Sequence, residues 1–188
     1  MVKNELNFKK EETTIMLALS ECLEMLKFIA RHSFDEETSC FLKNLFMNLR
    51  HLSYYLSNKK SHLIRYKDKL QENDLFIINK IINTRNASAH PNDKQHWLND
   101  YIMISGGMNF KEKDVEIQYG NNKLFLIKEI IYIYKKFREI FSQTSELSYI
   151  DEHTYWKHEE QELIRIEQEI TKLLEDTTKL IKDRLNYR

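Results

Sequence analysis

The scarcity of glycine and proline constrains the fold of this chain more than any other feature of its sequence. The 188 residues include three glycines and one proline, where average usage would give roughly 22 of the two together. A dinucleotide-binding glycine fingerprint and a P-loop each need several glycines in a short stretch, so both are excluded. Sandwiches and barrels are disfavoured because their many tight turns need turn residues. The composition therefore predicts a mainly α-helical chain with few sharp turns.

Length and charge fit one soluble domain over residues 1–188. Hydrophobic residues make up 41% of the chain, enough for a core, and 29 basic residues balance 29 acidic ones. This balance argues against a globally basic coat protein, although it leaves room for a local basic cleft. Because no stretch has about 18 consecutive apolar residues, we expect a cytoplasmic protein without a membrane partner. Cys22 and Cys40 are too few for a disulfide framework or a metal quartet, and we expect them to be reduced core residues.

Apolar residues that recur every three or four positions predict five helices. Four of them have the approximate ranges 6–31, 36–56, 123–142 and 151–185, and the third begins between residues 68 and 74 and ends near residue 90. Pro91 ends the third helix, because proline cannot continue the hydrogen-bond ladder. The long C-terminal helix carries a narrow apolar seam that suits packing along one other helix, either within the chain or in self-association.

The segment at about 97–120 has a different character from the helices. It holds all three glycines, and Tyr101 to Ile104 and Val115 to Tyr119 have the composition of two short strands. Gly106 and Gly107 lie between those stretches. The pattern predicts a small β-hairpin insert, too short to be a separate domain, that packs on the helices.

One short run at the end of the third predicted helix has unusual chemistry. Arg85 continues the line of Ile78 and Ile81, so a guanidinium falls on a face that should be buried. Such a charge is costly unless it is paired or opens onto a cleft. Asn86 and His90 are four residues apart and are neighbours on one helix face. A purely structural alternative is that Arg85 and His90 are cations placed favourably at a helix carboxyl end.

The run from Arg85 to His90 resembles the motif of the HEPN family, a group of α-helical domains common in prokaryotic toxin, phage-defence and CRISPR ribonuclease systems. The family motif is Arg, four to six residues, then His, often with Asn directly after the Arg. Here Asn86 follows Arg85, and four residues separate Arg85 from His90. The family motif lies near the end of the third helix. The resemblance therefore implies an all-α, HEPN-like up-and-down helical bundle, here with a small β-hairpin insert and a long C-terminal helix.

The resemblance also implies a reaction. HEPN ribonucleases cleave RNA without a metal or another cofactor, leaving a 2′,3′-cyclic phosphate and a 5′-hydroxyl. His90 would be the proton-transfer group, Arg85 the phosphate and transition-state stabiliser, and Asn86 a supporting polar residue. The family usually forms a homodimer with a shared active-site cleft. Because the resemblance is to toxin-like proteins, we also expect an antitoxin or regulatory partner protein.

A basic run precedes the third helix and includes Lys59, Lys60, Arg65 and Lys67. It either extends an RNA-binding patch or forms a solvated loop and helix start. Two other functions stay open at the level of sequence. One is a non-catalytic HEPN domain that binds RNA, a nucleotide or a protein partner, and the other is a helical interaction protein that uses the seam of the last helix.

Overall fold

Helices make up most of the described chain, and a small antiparallel sheet follows the third long helix. The computed structural model describes residues 2–32, 36–89, 105–119, 122–143 and 152–186. In chain order the elements are α1 (Val2–Arg31), α2 (Glu36–Ser57), a 3₁₀ helix (His62–Lys69), α3 (Glu72–Ala89), β1 (Ser105–Asn109), β2 (Asp114–Tyr119), β3 (Asn122–Phe125), a π-helical segment (Leu126–Ile131), α4 (Tyr132–Ser142) and α5 (Glu152–Asn186). The predicted fold class, mainly α-helical with a long C-terminal helix, is confirmed.

Helix α4 lies at the centre of the core, in contact with α1, α2 and α3. Its inward face is completely apolar except for one phenol, and its buried residues are Ile133, Tyr134, Phe137, Ile140 and Phe141. The Tyr134 hydroxyl lies 3.2 Å from both the Leu19 carbonyl oxygen and Oε1 of the buried Glu159. Because a buried polar group is costly unless it has partners, this contact fixes how α1, α4 and α5 meet.

Helix α5 packs within the chain along the first part of its apolar seam. Leu163, Ile166, Ile170 and Leu174 are buried, and α5 contacts α1 and β2. Farther along, Leu180 and Ile181 are 54% and 39% exposed. The seam of α5 therefore packs within the chain as far as Leu174, and the last turns of α5 carry exposed apolar side chains.

The sheet differs from the predicted hairpin in the position of its first strand and its turn. Gly106 and Gly107 lie inside β1, where Gly107 pairs with Glu116, so their placement between two strands was wrong. Glycine is tolerated there because β1 is an edge strand and a Cβ on Gly107 would meet nothing within 4 Å. The predicted strand Tyr101 to Ile104 lies outside the described residues.

The turn between β1 and β2 contains no glycine. The Asn109 side-chain oxygen accepts a hydrogen bond of 3.1 Å from the Glu112 N–H, which stabilises the turn locally. Lys113 takes the left-handed conformation, with a φ of 52°, a position where glycine is the usual residue. Because this turn uses an asparagine side chain and a left-handed lysine, the positions of the glycines do not predict it.

A third strand, β3, replaces the predicted beginning of the fourth helix, so the helical start at residue 123 was wrong. Residues 122–125 pair with β2, and the helical backbone begins at Leu126. The buried Asp114 carboxylate explains this boundary, since it accepts N–H bonds from Ile127 and Lys128, both of 2.9 Å. Glu129 adds a bond of 2.8 Å from the Phe125 N–H. The first backbone donors of the helix are thereby capped by side chains.

The two cysteines have different environments. Cys22 is buried, and burial raises the pKa of its thiol well above the ordinary value, with smaller contributions from the Glu21 and Glu159 carboxylates. Cys40 is exposed, so its assignment to the core was wrong. Both are free thiols, as expected.

A tyrosine–carboxylate hydrogen bond joins α4 to the start of α3, and its removal is expected to be measurable. The Tyr132 hydroxyl donates to Oδ1 of the buried Asp74 at 2.7 Å. We expect Tyr132→Phe to lower the free energy of unfolding by about 1 kcal/mol at neutral pH, at the low end for a bond to a charged group because Tyr132 is partly exposed. Urea unfolding of the two proteins measures the difference.

The same bond gives this difference a pH dependence. Hydrogen bonding to Asp74 raises the pKa of Tyr132, with a further contribution from burial. A raised folded-state pKa means that the stabilisation is fully present below the unfolded tyrosine pKa of about 10 and is lost as the pH rises through the folded pKa. The difference between wild type and Tyr132→Phe should therefore shrink above about pH 10. A difference that stays constant into this range would contradict the assigned bond.

Candidate functional site

Helix α3 begins and ends with side-chain contacts that fix its position. At its start, Oδ2 of Asp74 accepts a 2.8 Å hydrogen bond from the Gln71 N–H, and Glu72 and Asp74 place negative charge in the first turn, where the helix dipole favours it. Near its end, the buried Thr84 hydroxyl donates to the Lys80 carbonyl oxygen at 2.9 Å. The intervening face is held in the core by Ile77, Ile78 and Ile81. Helix packing thus defines the direction in which the next turn projects its side chains.

Arg85 lies on the side of α3 that buries its isoleucines, as the spacing predicts. It is four residues after Ile81 and seven after Ile78, and its side chain is half-buried. One of its terminal nitrogens, Nη1, donates to Oδ1 of Asn86 at 3.3 Å. The structure therefore brings Arg85 and Asn86 together, and the amide oxygen helps to orient the guanidinium.

A second guanidinium, that of Arg50 on α2, lies close to Arg85. Burial lowers the pKa of Arg85 from its ordinary value, and the charge of Arg50 lowers it further. Arginine nevertheless stays protonated at any physiological pH. Within the described parts of the chain, no carboxylate forms an ion pair with Arg50. Two guanidinium groups from neighbouring helices thus contribute positive charge to this part of the molecule, and a guanidinium is a group that binds phosphate well.

Arg50 was not among the candidate residues of the sequence analysis. It lies on α2 next to Leu49 and Leu52, where an arginine beside an apolar stripe is an ordinary boundary residue of an amphipathic helix. Its significance depends on how α2 and α3 pack against each other. A single sequence carries no signal for that relation, so only the folded structure could have identified it.

His90 lies outside the described residues. The described part of α3 ends at Ala89, the residue before it. The predicted catalytic set is therefore placed in part: Arg85 and Asn86 are described, and the position of the imidazole stays a prediction from the sequence.

The predicted RNA-binding residues lie near the opposite end of α3 from Arg85. Lys59 and Lys60 are in the connection after α2, Arg65 and Lys67 are on the 3₁₀ helix, and all four are exposed. That helix leads into Glu72, and Arg85, thirteen residues farther along, lies about 20 Å away along the axis of α3. The structure does not bring these four residues into one cluster with Arg85.

The 3₁₀ helix has a small cation–π arrangement of its own. The guanidinium carbon of Arg65 lies 5.0 Å from the centre of the Tyr66 ring, and Nζ of Lys69 lies 5.1 Å from it. At an exposed site each such contact stabilises the local conformation by about 0.5–1 kcal/mol. The Arg65 guanidinium therefore contacts the ring of its neighbour in the chain.

Across the described residues, no group of three or more His, Cys, Asp or Glu side chains is arranged to hold a metal ion. None of the described helices is long and apolar enough to cross a membrane.

Comparison with known proteins yields no relative. No protein-family model matches the chain, and no curated protein or solved structure shows significant similarity to it.

Proposed function

We propose that this protein is a metal-independent endoribonuclease of the HEPN type, acting in a toxin or phage-defence context. The observation that carries the proposal is the pair Arg85–Asn86 near the carboxyl end of α3, beside the guanidinium of Arg50. A planar guanidinium binds two phosphate oxygens at once, and a half-buried guanidinium does so in a medium of reduced dielectric. Both properties support the proposal. His90, five residues after Arg85, supplies an imidazole that exchanges protons near neutral pH.

The proposed reaction is an internal transesterification of RNA. The 2′-oxygen attacks the adjacent phosphorus as its proton is removed, and the bond from phosphorus to the 5′-oxygen breaks as that oxygen gains a proton. The products are a 2′,3′-cyclic phosphate and a 5′-hydroxyl. His90 carries out one of the two proton transfers, Arg85 stabilises the charge on the phosphate oxygens, and Asn86 holds Arg85 in position.

A homodimer with a shared cleft is part of the proposal. In such a dimer the Arg85 side chains of both copies would face one phosphate, which would give a locally positive cleft in a chain of zero net charge. An antitoxin or another regulatory partner would act by covering that cleft.

The experiment that tests the proposed function is an assay of the purified chain on single-stranded RNA with EDTA present. We expect cleavage in EDTA that is lost in His90→Ala, because the reaction uses side chains alone. Cleavage that requires a divalent metal, or that persists in His90→Ala and Arg85→Ala, would refute the proposal. RNA binding without turnover would instead support the non-catalytic alternative.

A further inference from the structure

A cleft lies between the amino-terminal part of α1, the carboxyl end of α2 and the start of the 3₁₀ helix. Its volume is about 430 Å³, and it is lined by Lys10, Glu11, Thr14, Tyr54, Tyr55, Asn58, Lys60 and His62. This size is within the range of small-ligand sites. Lys10 and Lys60 are exposed, so two ammonium groups stand at the rim of the cleft. Glu11 is the one carboxylate among the lining residues, and it accepts hydrogen bonds from the Ser61 hydroxyl and the His62 N–H.

Aromatic rings form one wall of this cleft. His51 stacks on Tyr55 with 5.2 Å between ring centres, and Tyr54 meets Tyr55 edge to face at 6.1 Å. Tyr54 is 55% exposed, and its hydroxyl oxygen accepts a 2.8 Å hydrogen bond from Asn58. That bond restrains Tyr54 while leaving more than half of it open to solvent. A held, exposed ring beside ammonium groups is the arrangement on which proteins stack a base of a single strand.

The solvent-facing side of α2 connects this cleft to Arg85. Arg50, Tyr54 and Asn58 are spaced at four residues and therefore follow one another along the helix surface. They span two helical turns, about 12 Å. At one end Arg50 is on the helix that packs against α3, near enough for its charge to lower the pKa of Arg85, and at the other end Asn58 lines the cleft with Lys60. Arg50 and Lys60 thus place positive charge at the two ends of this line of residues, and the exposed Tyr54 ring lies between them.

We infer that this track, from Arg50 through Tyr54 to the cleft around Lys60, holds single-stranded RNA that extends from the phosphate at Arg85. A base stacks on Tyr54, and Lys10 and Lys60 contact the phosphates next to it. The inference rests on the proposed function for the identity of the strand. It identifies a substrate class, because a base must be unpaired to lie on an aromatic ring, so duplex RNA would not fit.

The test measures binding separately from cleavage. A fluorescent 2′-O-methyl oligouridine of about twelve nucleotides, within the usual size range of single-strand sites, has no free 2′-hydroxyl and cannot be cut by the proposed reaction. Its affinity for the full chain is measured by fluorescence anisotropy. We expect Tyr54→Ala to weaken binding about tenfold, and Tyr54→Phe, which keeps the ring, to bind like wild type.

The charge contribution is tested through salt dependence. We expect Lys60→Gln to weaken binding and to reduce the slope of log affinity against log salt by about 0.7, the value for one phosphate contact on a single strand. Phe76→Ala is the matched ring control, because Phe76 is 61% exposed on α3 and is not among the residues that line the cleft. Lys172→Gln, at an exposed position on α5, is the charge control. Neither control should change the affinity.

Three results would overturn the inference: wild-type affinity in Tyr54→Ala and Lys60→Gln, no binding by wild type, or competition by an unlabelled duplex that equals competition by the single strand. The proposed function fails by a different result, the absence of cleavage of unmodified RNA by wild type. Because the modified strand reports binding alone, the two failures are distinguishable.

Discussion

Arg85→Ala is expected to slow RNA cleavage by about 10²–10³-fold, the usual effect of removing one charge-stabilising group from a transition state. The phosphate gains negative charge as the 2′-oxygen attacks, and Arg85 is half-buried beside Asn86, so water replaces its contribution poorly. Arg85→Lys should recover part of the rate, because it keeps the charge and loses the two-point contact. The measurement is the single-turnover rate of the cleavage of a labelled RNA in EDTA.

The matched control for this substitution is Arg65→Ala. Arg65 is an exposed arginine near the opposite end of α3, engaged with the Tyr66 ring, and its loss should leave the rate of bond cleavage unchanged. Thermal unfolding of each variant excludes loss of the fold as the cause. An Arg85→Ala protein that folds and cleaves at the wild-type rate would remove Arg85 from the mechanism.

Asp114→Ala is expected to lower the free energy of unfolding by about 3 kcal/mol. The carboxylate is fully buried and accepts the N–H groups of Ile127 and Lys128. Alanine would remove the acceptor of these two partly buried N–H groups and of the buried Val115 N–H, and an unsatisfied donor costs about 1–3 kcal/mol when it is fully buried. Because folded domains are stable by only about 5–15 kcal/mol, this is a large fraction of the total. Urea unfolding followed by far-UV circular dichroism measures it.

Two variants accompany Asp114→Ala. Asp114→Asn keeps one acceptor oxygen and should lose less stability than alanine. Asp176→Ala removes an exposed aspartate from α5 and should change the free energy of unfolding by less than about 0.5 kcal/mol. Equal stability of Asp114→Ala and wild type would show that the backbone donors of the π-helical segment do not depend on this carboxylate.

The helices could be predicted from sequence because their signal is local and repeated. Apolar residues at helical spacing give the positions of α1, α2, α3 and α5, and the line from Ile78 to Arg85 predicts a guanidinium at the edge of the core. These predictions need no knowledge of tertiary packing.

The sheet region could not be predicted as well, because its signals are either absent or depend on tertiary contacts. The stretch around Leu124 is apolar at consecutive positions and suits a strand or a helix equally. What decides is the Asp114 carboxylate, which receives the N–H groups of residues thirteen and fourteen positions later. In the same way, Lys113 takes a backbone conformation usually left to glycine.

The candidate site likewise contains residues that the sequence predicts and residues that only the structure identifies. Arg85 and Asn86 form a sequence motif and were predicted as site residues, whereas the hydrogen bond between them was found only in the structure. Arg50 and Tyr54 lie on another helix, and their relation to Arg85 depends on how α2 packs against α3. Covarying positions among related sequences could reveal such a contact, but a single sequence contains none.

The chemistry of the cut tests the central claim most directly. Wild-type protein is incubated in EDTA with two RNAs of the same sequence, one unmodified and one that carries deoxyribose in place of ribose. We expect only the ribose strand to be cut, with a 2′,3′-cyclic phosphate on one product and a 5′-hydroxyl on the other, because the 2′-oxygen is the nucleophile. Cleavage of both strands, or products that carry a 5′-phosphate, would mean that water is the nucleophile and would contradict the proposed mechanism.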